Sequence, residues 1–177
     1  MRIGLIALAL TLAAFPLGAE VLLSPSVGLA FGGRTDDSKI TYGGTLTLKG
    51  SVVGFAVDFG YIPDFFGSGS RNNNLVTLMG NLVVMSRGTM RVYGSAGLGL
   101  VKSRVESASG LLHADSNELG LGVGGGLLVF PGDGSLGLHG DIRYFRSLTD
   151  PERDNEFDVH LGDLDFWRGE IGVTIRF

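Results

Sequence analysis

Six charged side chains stand out in this sequence by the company they keep. Asp58, Arg91, Asp141, Arg143, Arg168 and Glu170 alternate with large apolar residues and share their side of the chain mostly with glycine, alanine and serine. Charges of mixed sign in small-residue surroundings point to an enclosed ion-pair network, because enclosed charges are tolerable only when each is hydrogen-bonded to an opposite partner. Such a network either fills a space or lines a pathway for ions and small solutes. A second constellation, "LLHADSNELG", holds His113, Asp115, Ser116 and Glu118, the residue types of ester hydrolysis. Nucleophile and base must share a face to cooperate, and the spacing of His113 and Ser116 is odd, so the stretch reads as a solvated loop. A third, Asp150, Glu152, Asp154, Glu156, Asp158, Asp163 and Asp165, offers oxygen ligands for Ca²⁺ or Mg²⁺. It lacks the order and central glycine of a calcium loop. Gly97, Gly99, Gly120, Gly122, Gly124 and Gly126 precede neither a Lys-Ser pair nor a helix, so they build no phosphate cradle. His139 has no nearby metal-ligand partners in the pattern. No metal, no cofactor and no enzymatic activity are expected.

The elements that must position these residues are strands. Val53, Phe55, Val57, Phe59 and Tyr61 alternate with Gly54, Ala56, Asp58 and Gly60, and the same period of two recurs along the chain, a strand signal rather than a helical one. Eight such segments are readable, the first near Leu23 to Phe31 and the last reaching Phe177. Turn chemistry separates them: "KGS" around Gly50, "SRG" at 86–88 and "PGDG" at 131–134 are tight turns, and polar stretches at 33–38, 63–74, 103–116 and 147–163 are long loops. Short and long connections alternate, which predicts an antiparallel up-and-down meander closing into a barrel.

Alternation alone does not say which face is inside. The face that is not apolar carries Ser24, Ser26, Gly28, Ala30, Ser95 and the glycines, with few charges, and suits a crowded interior better than a wet exterior. The apolar face carries Phe31, Tyr42, Tyr61, Tyr144 and Trp167 near the long-loop end, where amphipathic rings would sit at headgroup level. With strands of about 10 residues, long enough for a tilted crossing, this predicts an apolar face turned to lipid.

Composition agrees with that reading. The mean hydropathy is +0.29 although the mature chain has no long apolar run, so apolar residues are interleaved with small ones such as the 30 glycines. The net charge of −4, without a basic stripe, argues against nucleic acid, and the absence of cysteine excludes disulfides and thiolate sites. The opening "MRIGLIALALTLAAFPLGAE" has Arg2, an apolar run and small residues up to Ala19, the order of a secretory signal peptide over residues 1–19, leaving 20–177 as the barrel domain.

Signal segment, eight alternating strands, tight turns and long loops together resemble the small outer-membrane barrels of the OmpA/OmpX type, over essentially all of 20–177. The resemblance implies an all-β transmembrane barrel with short periplasmic turns and four long extracellular loops, in the outer membrane of a two-membrane bacterial envelope. Glu170, Gly172, Ile175 and Phe177 resemble the polar-x-Gly-x-x-apolar-x-aromatic signal by which such barrels meet the outer-membrane assembly machinery. The His113 segment is faintly similar to the outer-membrane lipid A 3-O-deacylases but departs from their His-to-Ser spacing. The expected protein is a monomer with a structural or surface-interaction role, set in outer-membrane lipid and lipopolysaccharide, with loops open to an extracellular ligand. A narrow channel is the alternative, and a lipid-modifying enzyme the third reading. The last strand closes the sequence, so no periplasmic domain tying the barrel to peptidoglycan is expected.

Overall fold

The computed structural model describes residues 19–33, 35, 37–65, 72–106, 113–132, 134–148 and 164–177, with backbone alone at 72, 103–106 and 113–116. The expected signal segment and most of the acidic stretch, Asp150 to Asp163, lie outside the described residues. Eight strands follow one another: β1 Glu20–Phe31, β2 Lys39–Lys49, β3 Val53–Pro63, β4 Asn72–Met85, β5 Met90–Glu106, β6 His113–Val129, β7 Leu136–Ser147 and β8 Asp165–Arg176. Each pairs antiparallel with the next, and β1 pairs with β8, so the sheet closes on itself without a free edge. On the closing seam the ladder runs from Leu22 opposite Arg176 to Phe31 opposite Trp167 and skips Ser24 and Pro25. Proline has no N–H to give a ladder, which accounts for the gap.

Period two sorts side chains to the two surfaces of the wall. Leu82 and Ile171 keep 67% and 68% of their surface exposed on the outside, and comparable exposure at Val53, Met90, Leu136 and Leu138 makes the exterior a continuous apolar sleeve. Monomers in water rarely carry such a surface, whereas hydrocarbon requires one. Inside, Thr41, Thr47, Asp58, Thr77, Arg143, Arg168 and Glu170 are buried.

The interior also holds two apolar layers that its small and polar residues conceal in the sequence. Toward the short turns, Leu22, Ala56, Val83, Met85, Leu128 and Phe130 pack together. Toward the other end, Ile62, Phe65, Leu75, Met79, Phe145 and Phe166 form a second cluster with Ala30, Val101 and Leu164.

Two expectations about connections change. β5 and β6 each run 17 residues, so the polar stretch expected as a loop at 103–116 is mostly strand and the connection shrinks to 107–112. His113, Asp115, Ser116 and Glu118 thus lie in β6, not in a solvated loop. Connection 107–112 is no longer than 130–135 at the opposite end, so the strict alternation of short and long fails at this hairpin. Polar residues fall on both faces of the stretch, which hides a strand from a pattern that depends on one continuous apolar face.

Candidate functional site in the barrel lumen

Five of the six charges singled out in the sequence meet at one level of the lumen, between the two apolar layers. Asp58 on β3 is the hub. Its Oδ1 accepts from Arg168 Nη2 at 2.6 Å, and its Oδ2 lies 2.9 Å from Arg143 Nη1 and accepts from the Thr45 hydroxyl at 2.9 Å. Arg143 also reaches Asp141 Oδ2 at 3.1 Å, where the Tyr93 hydroxyl donates at 2.8 Å. Arg168 places Nε 3.3 Å from Glu170 Oε2, donates from Nη1 to the Thr77 hydroxyl at 3.2 Å, and lies over the Phe145 ring at 4.7 Å. Six strands therefore contribute to one belt of contacts across the lumen.

Local sequence explains why two guanidinium groups fit. Arg143 and Arg168 are register partners on β7 and β8, and Asp141 and Glu170 are the next inward pair along the same strands. Like charges directly opposite repel, so each pair needs partners from across the barrel, and Asp58 supplies the acceptor for both arginines. Room comes from glycine. The Arg168 guanidinium occupies the space a Cβ at Gly60 would take, and the Arg143 side chain does the same at Gly124. Below the belt, His139 Nδ1 lies 3.1 Å from the Thr174 hydroxyl, which in turn is 2.9 Å from the Ser24 hydroxyl. These groups, with Thr47, Asn81, Asp141 and Arg143, help line a cavity of about 30 Å³, room for a water molecule or two.

Arg91 is the exception among the six. It faces the lumen but lies near the short turns, where it grips Glu20 as a fork, Nη1 to Oε2 at 2.7 Å and Nη2 to Oε1 at 3.0 Å. Glu20 also draws Lys49 and Arg176, both at 3.8 Å. Sequence reasoning missed Glu20 because it began the first strand at Leu23, and missed Tyr93 because an inward tyrosine looks like any aromatic in an alternating strand. The signal was present in both cases: Glu20, Arg91 and Tyr93 obey the inward period of their own strands.

The five aromatic residues expected as a girdle all project from the outer surface. Phe31 and Tyr144 are both register partners of Trp167, and the Tyr144 and Trp167 rings approach to 5.1 Å. Tyr42 is the register partner of Tyr61. They form an arc over β7, β8, β1, β2 and β3 rather than a full ring, since β4, β5 and β6 present Val76, Leu100 and Leu119 among the outward residues near this end. Of the hydrolytic set, Glu118 is buried and its Oε2 accepts from the Ser147 hydroxyl at 2.5 Å, while the side chains of His113 and Ser116 lie outside the described residues. Among the described residues no group of His, Asp and Glu is arranged to hold a metal ion.

By sequence the chain matches no protein-family model and no curated protein. Its fold, however, is shared with solved outer-membrane barrels. The Neisserial surface protein A structure superposes with a TM-score of 0.66 at 15% identity, covering 90% of this chain and 97% of that one. The N-terminal barrel domain of Pseudomonas aeruginosa OprF gives 0.57 at 15%, covering 90% and 98%. Ail, the attachment invasion locus protein of Yersinia pestis, solved in complex with the heparin analogue sucrose octasulfate, gives 0.56 at 16%, covering 91% and 100%. The chain has the closed eight-stranded fold of the small outer-membrane β-barrels.

Proposed function

We propose that the chain is a monomeric outer-membrane surface protein whose barrel is a closed support for its loops. The observation that carries this reading is the lumen: a belt of paired charges centred on Asp58 lies between two apolar layers, inside a wall whose exterior is apolar. An ion crossing the barrel would have to break the Asp58 pairs and dehydrate twice. Eight strands enclose little more than their own side chains, and the cavity of about 30 Å³ below the belt is too small for a pore. The loop end is then the functional surface. Ail carries its polyanionic ligand in its structure, but the connection at 148–164 here is rich in Asp and Glu, so a cationic partner, or lipopolysaccharide bridged through divalent ions, suits this chain better. The closing strand, with Glu170, Gly172, Ile175 and Phe177, serves as the contact for the assembly machinery, and the segment before residue 20 as the export signal.

Single-channel recording in planar bilayers tests the closed lumen. The expected trace is free of defined steps; steps whose size changes on neutralising Arg168 or Asp141 would establish the channel instead. Incubation with lipid A followed by mass spectrometry is expected to leave every acyl chain in place. Loss of one, abolished by His113→Ala, would replace the support role with hydrolysis.

A further inference from the structure

The charges of the belt do not cancel. Asp58, Asp141 and Glu170 face Arg143 and Arg168, three carboxylates against two guanidinium groups, and among the described residues the ion pairs of all five stay within the belt. An enclosed charge without a counter-ion is costly, so this level of the lumen calls for one more positive charge. Two carboxylate oxygens of the belt are buried without a hydrogen-bond partner among the described residues, Glu170 Oε1 and Asp141 Oδ1. Of the two residues, Asp141 lines the cavity of about 30 Å³ below the belt. Its side chain is only 3% exposed, so bulk water does not compensate it.

The wall of that cavity offers oxygen. Thr45 gives its hydroxyl proton to Asp58 at 2.9 Å and Tyr93 gives its own to Asp141 Oδ2 at 2.8 Å, so toward a further ligand both present lone pairs alone. Thr47 and Ser95 add two more hydroxyls. Hard cations take oxygen ligands of this kind. The spare charge is one, so a divalent ion would overshoot it, and the space suits an ion the size of a water molecule. Arg143 lines the same cavity, but its Nη1 and Nη2 are taken by Asp58 and Asp141, and its buried Nε, without a partner, is placed to donate to a water held by the ion. His139 turns Nδ1 to the Thr174 hydroxyl. We propose that the cavity below the belt binds one monovalent cation of sodium size on Asp141 Oδ1, with the oxygens of Thr45, Thr47, Tyr93 and Ser95 around it. The ion makes the belt neutral. The site rests on the closed lumen of the proposed function and on no particular loop ligand.

The test uses the full chain refolded in micelles of a neutral glycoside detergent, with fold checked by the mobility shift of unheated protein on a gel. Sodium chloride is replaced stepwise by choline chloride at constant ionic strength, so that general screening stays fixed while the small cation gives way to one too large for the cavity. A ligand held by the folded state alone raises the urea midpoint with its concentration. The midpoint is expected to rise as sodium replaces choline, and the rise to vanish in Asp141→Asn. A midpoint equal in both salts would overturn the proposal and leave the cavity to water; so would an undiminished rise in Asp141→Asn. If that variant fails to fold, Thr47→Val combined with Ser95→Ala decides, because it removes two lining hydroxyls and no belt pair. It is expected to weaken the sodium affinity about tenfold, and a response equal to the parent's would overturn the site. Conductance separates the two readings: a flat sodium response in a non-conducting barrel removes this site alone, whereas defined conductance steps remove the closed lumen on which it rests.

Discussion

Asp58 carries more of the lumen than any other side chain. It is fully buried and accepts from Arg168, Arg143 and Thr45. Removing it strands two guanidinium groups in an enclosed space, so Asp58→Ala is expected to cost about 3–5 kcal/mol, measured by urea unfolding in lipid vesicles. Pairing with Arg168 makes a sharper statement. The double variant Asp58→Asn with Arg168→Met should lose less than the two single losses summed, since each single change leaves a charge unmatched that the double removes. Strict additivity would mean that the two side chains do not depend on each other. The belt was legible in the sequence at this scale because period two alone assigns Asp58, Asp141, Arg143, Arg168 and Glu170 to the small-residue face. Depth was legible as well: counting from the short-turn end of each strand puts these five at similar mid-barrel depth and Arg91 lower, as found; which side chains meet was not, because a count along single strands ignores stagger.

At the scale of the strand, the inward glycines of β3 and β6 decide whether the belt can form. Gly60 is occupied across the lumen by the Arg168 guanidinium, so Gly60→Val should push Arg168 off Asp58 and destabilise by about 1–3 kcal/mol, read as a lower unfolding midpoint. A midpoint equal to the parent's would show that the lumen has slack the packing does not suggest. β8 makes a different prediction. Phe177 hydrogen-bonds through its N–H to the Val21 carbonyl at 2.9 Å, yet its side chain is 73% exposed and packs little. Deleting it is therefore expected to lower the amount reaching the outer membrane far more than the unfolding midpoint of refolded protein; normal membrane levels would leave Phe177 no sorting role. Strand existence was readable throughout, because one face is apolar along most of every strand. The ends were readable only where that holds. β5 and β6 run on to Glu106 and from His113 as a register-matched hairpin, with Arg104 opposite Asp115, in sequence that places polar residues on both faces.

For the whole molecule, the arrangement is a soluble protein's turned outside in: charges and hydroxyls within, Leu, Val and Ile without. The closed order of eight strands was available from the alternation and the turn residues, and so was the choice of faces, since six inner charges among glycines cannot solvate an exterior. The two apolar layers inside were not available, because Leu75, Met79, Val83 and Leu128 on the inner face look in sequence like irregularities of the outer one. The central claim is that this exterior meets lipid, and the single tryptophan reports on it directly. Trp167 projects outward at the aromatic arc, 42% exposed. In vesicles its emission should be blue-shifted, quenched strongly by lipids brominated near the headgroup and little by aqueous acrylamide. Red-shifted emission that acrylamide quenches freely and brominated lipids leave untouched would contradict the membrane barrel.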